Sequence, residues 1–102
     1  MKITIIDYEM GNLLSVQNAI NYLGYKVKIS DKYSVISKSD KLILPGVGSF
    51  KKAMKIIKNK HIDKAINECL KKKGHLLGIC LGMQLLGQSS SEDGYTKGLC
   101  LI

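Results

Sequence analysis

A chain of 102 residues, 45% hydrophobic and 24% charged with a mean hydropathy of +0.02, has room for one domain with one core and is too apolar to be disordered. No apolar run approaches the roughly 20 residues that cross a bilayer, and the N-terminus reaches Asp7 after one short run, so no signal peptide is expected there. The net charge of +8 comes from 16 lysines and no arginine, so the bidentate contacts that read bases are missing; the lysines fall at amphipathic spacing, as solvated helix faces do, and no nucleic-acid partner is expected.

Ile3 to Ile6 reads as a buried strand ending at Asp7. A turn containing Glu9, Gly11 and Asn12 leads into a helix over 13–23, with Leu13, Val16, Ala19, Ile20 and Leu23 on one face and Gly24 as its stop. Residues 26–30 alternate lysine with apolar residues, which predicts a strand near a sheet edge. Residues 41–44 form a third strand, halted by Pro45. Amphipathic helices follow over 49–58 and 62–73, the second with Ile62, Ala65, Ile66, Cys69 and Leu70 as its stripe. A fourth strand is predicted over 76–79, a short helix over 81–86, a polar loop over 88–94 and the start of another strand over 99–102.

Strands alternating with helices across short connections predict an α/β fold, a three-layer, doubly wound and mainly parallel sheet. Ligands of such sheets bind beyond the carboxyl ends of the strands. The turn at 7–12, the loop at 45–48 and Cys80 all follow strand ends, so they are expected on one rim.

The segment Gly78-Ile79-Cys80-Leu81-Gly82 carries the chemistry. Apolar runs on either side of Gly-x-Cys-x-Gly read as a strand turning sharply into a helix with a nucleophile at the apex. The glycines remove Cβ atoms where the two backbones approach, and a helix N-terminus favours a thiolate. A buried cysteine in a glycine-bounded strand is the plain alternative. Cys80 is expected to be the most reactive thiol, with Cys69 masked in its helix and Cys100 in the last strand. Three cysteines at these spacings suit neither a disulfide framework nor a metal site, and a reducing cytoplasm fits them best.

Together these residues resemble the class I, triad-type glutamine amidotransferases, and within them the glutaminase subunits of imidazole glycerol phosphate synthase. The resemblance is carried by Ile6-Asp7-Tyr8 with Gly11-Asn12, by Leu44-Pro45-Gly46-Val47-Gly48-Ser49-Phe50, and by Gly78 through the elbow to Met83-Gln84-Leu85-Leu86. It continues in Ser91-Glu92 and in Gly98-Leu99 before Leu101-Ile102. It implies a flavodoxin-like topology, here truncated to the N-terminal half of the domain. By resemblance, Cys80 attacks the glutamine side-chain amide, forms a thioester and releases ammonia. Oxyanion donors would be the backbone N–H of Leu81 and one from Val47 or Gly48. Gly46, Gln84 and Glu92 match substrate-binding positions, and Asn12 matches the part that faces a cyclase subunit receiving the ammonia, in histidine biosynthesis or a related amidation pathway. No cofactor or metal is implied, and the setting would be cytoplasmic.

Glu9 and Cys100 depart from this pattern, standing where the family commonly has glycine. Nothing matches the family's histidine base and its orienting glutamate, which lie in the second half of a chain about twice this length. His61 opens a helix and His75 precedes a strand, expected at the opposite end of the sheet from Cys80. Two other readings stay open: an inactive fragment that at most binds a partner, and a cysteine hydrolase of the wider superfamily, against which Gln84 and Glu92 speak.

Overall fold

Four short apolar runs, Ile3–Ile6 (β1), Val27–Ser30 (β2), Lys41–Leu44 (β3) and His75–Gly78 (β4), pair in parallel in the order β2-β1-β3-β4. The computed structural model describes residues 1–91 and 96–101. Helices Leu13–Tyr22 (α1), Tyr33–Ser37 (α2), Phe50–Asn59 (α3), Ile62–Lys71 (α4) and Leu81–Leu85 (α5) lie between the strands or follow them. Ser89–Ser90 (β5) and Thr96–Lys97 (β6) form a small antiparallel pair. The parallel α/β architecture expected from the sequence is present, with the strand order of a doubly wound sheet.

Register divides the side chains between two faces. Thr4, Leu42 and Leu76 align across β1, β3 and β4, as do Ile5, Ile43 and Leu77. Because side chains alternate along a strand, these two rows point to opposite faces. The first face is the core: Ile6, Leu42 and Leu44 pack with Ile36 of α2, Phe50, Ala53, Met54 and Ile57 of α3, and Ile62, Ala65, Ile66 and Cys69 of α4. The buried Thr4 hydroxyl donates to Ser39 Oγ at 2.6 Å, because the Ser39 hydroxyl is itself used on the Val35 carbonyl.

Among the described residues the second face is covered by α1 alone, and there the structure departs from expectation. The predicted stripe of α1 is only half sunk; none of its residues is buried, and Leu23, just past its end, is 70% exposed. α2 was not foreseen, since a five-residue helix is too short to show periodicity; it is anchored by Ile36, which is fully buried. Nor do residues 99–101 form a strand. They fold back on α5, with the amides of Leu99, Cys100 and Leu101 donating to the carbonyls of Leu85, Gly87 and Leu86. Those carbonyls lie at a helix end without intrahelical partners, and the returning chain satisfies them.

Candidate active site

β4 ends at Gly78 and α5 begins at Leu81, leaving two residues for the reversal. Glycine is required on both sides of it. A Cβ on Gly78 would come within 2.8 Å of the Gly82 carbonyl and the Met83 backbone, and one on Gly82 would overlap the Leu44 carbonyl. Between them Cys80 takes φ 56° and ψ −120°, a region that costs a non-glycine residue roughly 1–3 kcal/mol. The thiol is exposed at the apex. The turn is held by Ile79 N–H on the Leu44 carbonyl, Gly82 N–H on the Ile79 carbonyl and Met83 N–H on the Cys80 carbonyl.

The 45–48 loop lies against this elbow. Leu81 N–H donates to the Gly46 carbonyl at 3.1 Å. Gly46 is buried, whereas Val47 is 62% exposed and Gly48 turns at φ 109°. The loop is propped from beneath by Tyr8, a fully buried side chain whose hydroxyl donates to the Pro45 carbonyl. Burial pushes the Tyr8 phenol well above its ordinary pKa, so it remains a donor. A Cβ at Gly46 would overlap that hydroxyl, which explains the glycine.

The 7–12 turn completes the rim. Gly11, at φ 125°, approaches Gly46 so closely that a Cβ would stand 3.2 Å from its backbone, and the Met10 methyl lies beside Gly48. Asn12 caps α1, its side chain accepting from Ser15 N–H. Glu9 occupies φ 68° and Cys100 φ 58°, both in the left-handed region glycine prefers. Glu9 gains a partner in return, for Lys60 Nζ lies 3.3 Å from its carboxylate and 2.9 Å from that of Asp31. The hydrogen bond from Lys60 holds the Asp31 carboxyl below its usual range, and Asp31 holds the lysine above its own.

The structure thus gathers Cys80, Leu81, Gly46, Val47, Gly48 and the Asn12 turn at one end of the sheet. Gln84 stands one helical turn beyond Cys80, exposed, with its backbone N–H donating to the Cys80 carbonyl. Glu92 lies outside the described residues. His75 opens β4, at the end of the strand away from Cys80, whereas His61 does not lie at that end as expected: it follows Lys60, whose ion pairs with Glu9 and Asp31 put the α3–α4 junction at the carboxyl end of the sheet. Cys69 is buried, donates to the Ser39 carbonyl at 3.1 Å, and has its pKa raised by burial. Cys100 is exposed rather than masked, because its segment turns back on α5 instead of entering the sheet. Among the described residues no group of three or more His, Cys, Asp or Glu is placed to hold a metal ion, and no helix is long and apolar enough to cross a membrane. Sequence reasoning missed the roles of Tyr8 and Lys60. A tyrosine two residues past an apolar strand was the only signal for the first, and lysine-rich composition concealed the second.

A parallel α/β sheet that lifts a cysteine on a strained strand-to-helix elbow, facing a glycine loop, defines a class of nucleophile-elbow proteins. The model of the CobB/CobQ-like glutamine amidotransferase domain matches residues 3–99, and the chain belongs to that family. Among its curated relatives, imidazole glycerol phosphate synthase subunit HisH 2 of Vibrio vulnificus is 52% identical over 101 residues, covering 97% of this chain and 47% of the relative. The subunits HisH of Moorella thermoacetica and Listeria monocytogenes are 49% and 45% identical over 100 residues, each covering 98% of this chain and 48% of the relative. The chain therefore spans about half the length of the curated relatives it matches.

Proposed function

We propose that this chain is the nucleophile-bearing half of a glutaminase that supplies ammonia to a cyclase subunit, as the glutaminase subunit of an imidazole glycerol phosphate synthase, in the cytoplasm. The observation that carries the reading is the exposed Cys80 at the strained elbow, with its neighbouring amide turned to the Gly46 loop. The thiolate sulfur attacks the glutamine side-chain carbonyl carbon, the S–C bond forms, the C–N bond breaks, and the nitrogen leaves as ammonia after gaining a proton. The tetrahedral oxygen needs N–H donors. Leu81 N–H and an amide of Val47 or Gly48 supply them, provided the Gly46 carbonyl yields Leu81 N–H to the oxyanion. Gly46, Gln84 and Glu92 hold the glutamine, and Asn12 faces the cyclase.

By resemblance neither His61 nor His75 stands for the family's base, so on this reading the chain alone has no positioned group to protonate the leaving nitrogen or to activate the water that releases the acyl group. Such help contributes typically ~10²–10⁴-fold. The 102-residue chain by itself therefore shows no useful turnover, and the reading of it as an inactive, partner-binding piece describes that isolated state. The test is a chimera joining residues 1–101 to the second half of the Vibrio vulnificus relative. It should release ammonia from glutamine and lose that activity in Cys80→Ser. A folded chimera that is inert, or unaffected by Cys80→Ser, overturns the reading.

A further inference from the structure

Each strand of the parallel sheet is entered past a lysine. Lys2 precedes β1, Lys26 precedes β2, Lys41 opens β3, and Lys73 stands just ahead of β4. Parallel pairing brings these entries to one end of the sheet, the end away from Cys80. Asp7, Glu9 and Asp31 follow the exits of β1 and β2 and gather at the other end. Among the described residues lining the cavities of the amino end, Asp40 is the one acid, and its carboxylate accepts the Lys2 backbone N–H at 2.6 Å. An end of one sign concentrates anions from solution. A cavity of about 510 Å³ opens there between the sheet and α2, within the range of small-molecule sites. Lys2, Lys26, Lys28 and Lys38 stand around it, and among the described residues none of them forms an ion pair. Lys28 aligns with buried Thr4, whose row continues into Leu42 and Leu76, so it faces the side of the sheet that elsewhere holds the core. Lysine on an edge strand discourages further pairing, which accounts for Lys26 and Lys28. It does not account for Lys2 and Lys38, which come from the entry of β1 and the end of α2 to the same cavity.

We propose that this cavity binds a small polyanion of nucleotide size, a planar ring carrying two or more phosphates. The lysines meet the phosphates as point charges with several donors each, and the exposed Ser34 adds a hydroxyl. Ile3, Val27 and Val35, with the aliphatic stems of the lysines, receive the ring. A bare phosphate would leave that apolar wall wet, and a neutral ring would leave the lysines without counter-charge, so the ligand needs both parts. Thr4 and Ser39 also line the cavity, but their hydroxyls are bonded to each other and to the Val35 carbonyl, so they shape its wall. A nucleic acid fits less well, because the lysines ring a cavity and the chain has no arginine to stack on bases or clamp a backbone. The cavity shares no residue with the Cys80 rim, so its occupancy does not depend on the proposed glutaminase chemistry.

The test titrates the isotopically labelled chain with ADP in magnesium-free buffer and follows backbone amide shifts by NMR, with adenosine as the ring alone and pyrophosphate as the anion alone. The expected result is saturable one-to-one binding of ADP that moves the amides of Lys2, Val27, Lys28 and Val35, leaves those of Cys80 and Leu81 in place, and weakens as salt is raised. Adenosine and pyrophosphate should each bind about tenfold more weakly or worse. Lys28→Met combined with Lys38→Met should weaken ADP by about tenfold or more, through lost charge-assisted hydrogen bonds at two exposed positions. Lys58→Met combined with Lys64→Met removes the same charge from exposed positions of α3 and α4 outside the cavity and should leave binding unchanged. Amide dispersion before ADP is added shows that both variants are folded. No saturable binding, or an equal loss in the two double variants, overturns the proposal. So does pyrophosphate binding as tightly as ADP, which would reduce the site to an unspecific anion patch, or a shift confined to the Cys80 end. A single-stranded oligonucleotide that binds where ADP does not also overturns it, by assigning the lysines to a nucleic acid.

Discussion

At the scale of single residues, the site is a set of close approaches that dictate which side chains are absent. Gly78, Gly82 and Gly46 are glycine because the Met83 backbone, the Leu44 carbonyl and the Tyr8 hydroxyl occupy the space a Cβ would take. Gly82→Ala should therefore lower the urea midpoint by the equivalent of ~1–3 kcal/mol or more, since the obstructing atom is backbone and cannot rotate away. Tyr8→Phe keeps the ring but removes the donor to the Pro45 carbonyl, with an expected cost of ~1–3 kcal/mol. The glycines were legible in the sequence because their pattern has one steric meaning. The tyrosine was not, because nothing local says that its hydroxyl reaches a loop 37 residues away. Cys100 misled for a related reason: an apolar segment suggests a strand, yet the carbonyls at the end of α5 capture it first. The Lys60 network yields a pH prediction. Asp31 has a lowered folded pKa, so its stabilisation is present above the ordinary carboxylate value and is lost as pH falls through the lowered one; that of Lys60, whose pKa is raised, is lost only in strong alkali. Lys60→Met should move the Asp31 carboxyl titration, followed by NMR, to higher pH. An unmoved titration would show that the ion pair does not form in solution.

At the scale of elements, the pattern of apolar residues located every helix and strand that is long or strongly periodic. α3 and α4 bury Phe50, Ala53, Met54 and Ile57, and Ile62, Ala65, Ile66 and Cys69, at the spacing their sequences advertise. Each fully buried aliphatic side chain contributes roughly 1.5–3 kcal/mol, so these two helices hold the core face. α1 has an equally plain stripe but no buried residue, because a stripe records what a helix is built to face and not whether that face is covered. Ile57→Ala should thus cost ~2–5 kcal/mol, and Leu23→Ala well under 1 kcal/mol, by urea unfolding of the chain alone. Comparable losses at both positions would mean that α1 is packed more fully than the fold shows.

At the scale of the whole molecule, three connections from three strands meet at the rim: the 7–12 turn against Gly46, the Gly46 loop against Leu81, and the elbow with Cys80. That convergence was legible because parallel strands place all their carboxyl ends together. The proposed glutamine contacts were less so; Gln84 is exposed one helical turn beyond Cys80, and Glu92 falls outside the described residues. With Leu23 and Leu77 exposed on one side of the sheet, the chain of 102 residues should unfold below the ~5–15 kcal/mol usual for domains. A cooperative transition of ~10 kcal/mol would mean that this side of the sheet is packed more fully than the fold shows. The central claim, that the elbow makes Cys80 the thiol that meets a glutamine amide, is tested most directly by timed labelling with a glutamine-shaped diazoketone, the modified residues being located by mass spectrometry. The account predicts that Cys80 is modified first, that L-glutamine slows this step, and that buried Cys69 stays unmodified in the folded chain. Modification of Cys100, which is also exposed, at the same rate, with glutamine protecting neither thiol, would contradict it.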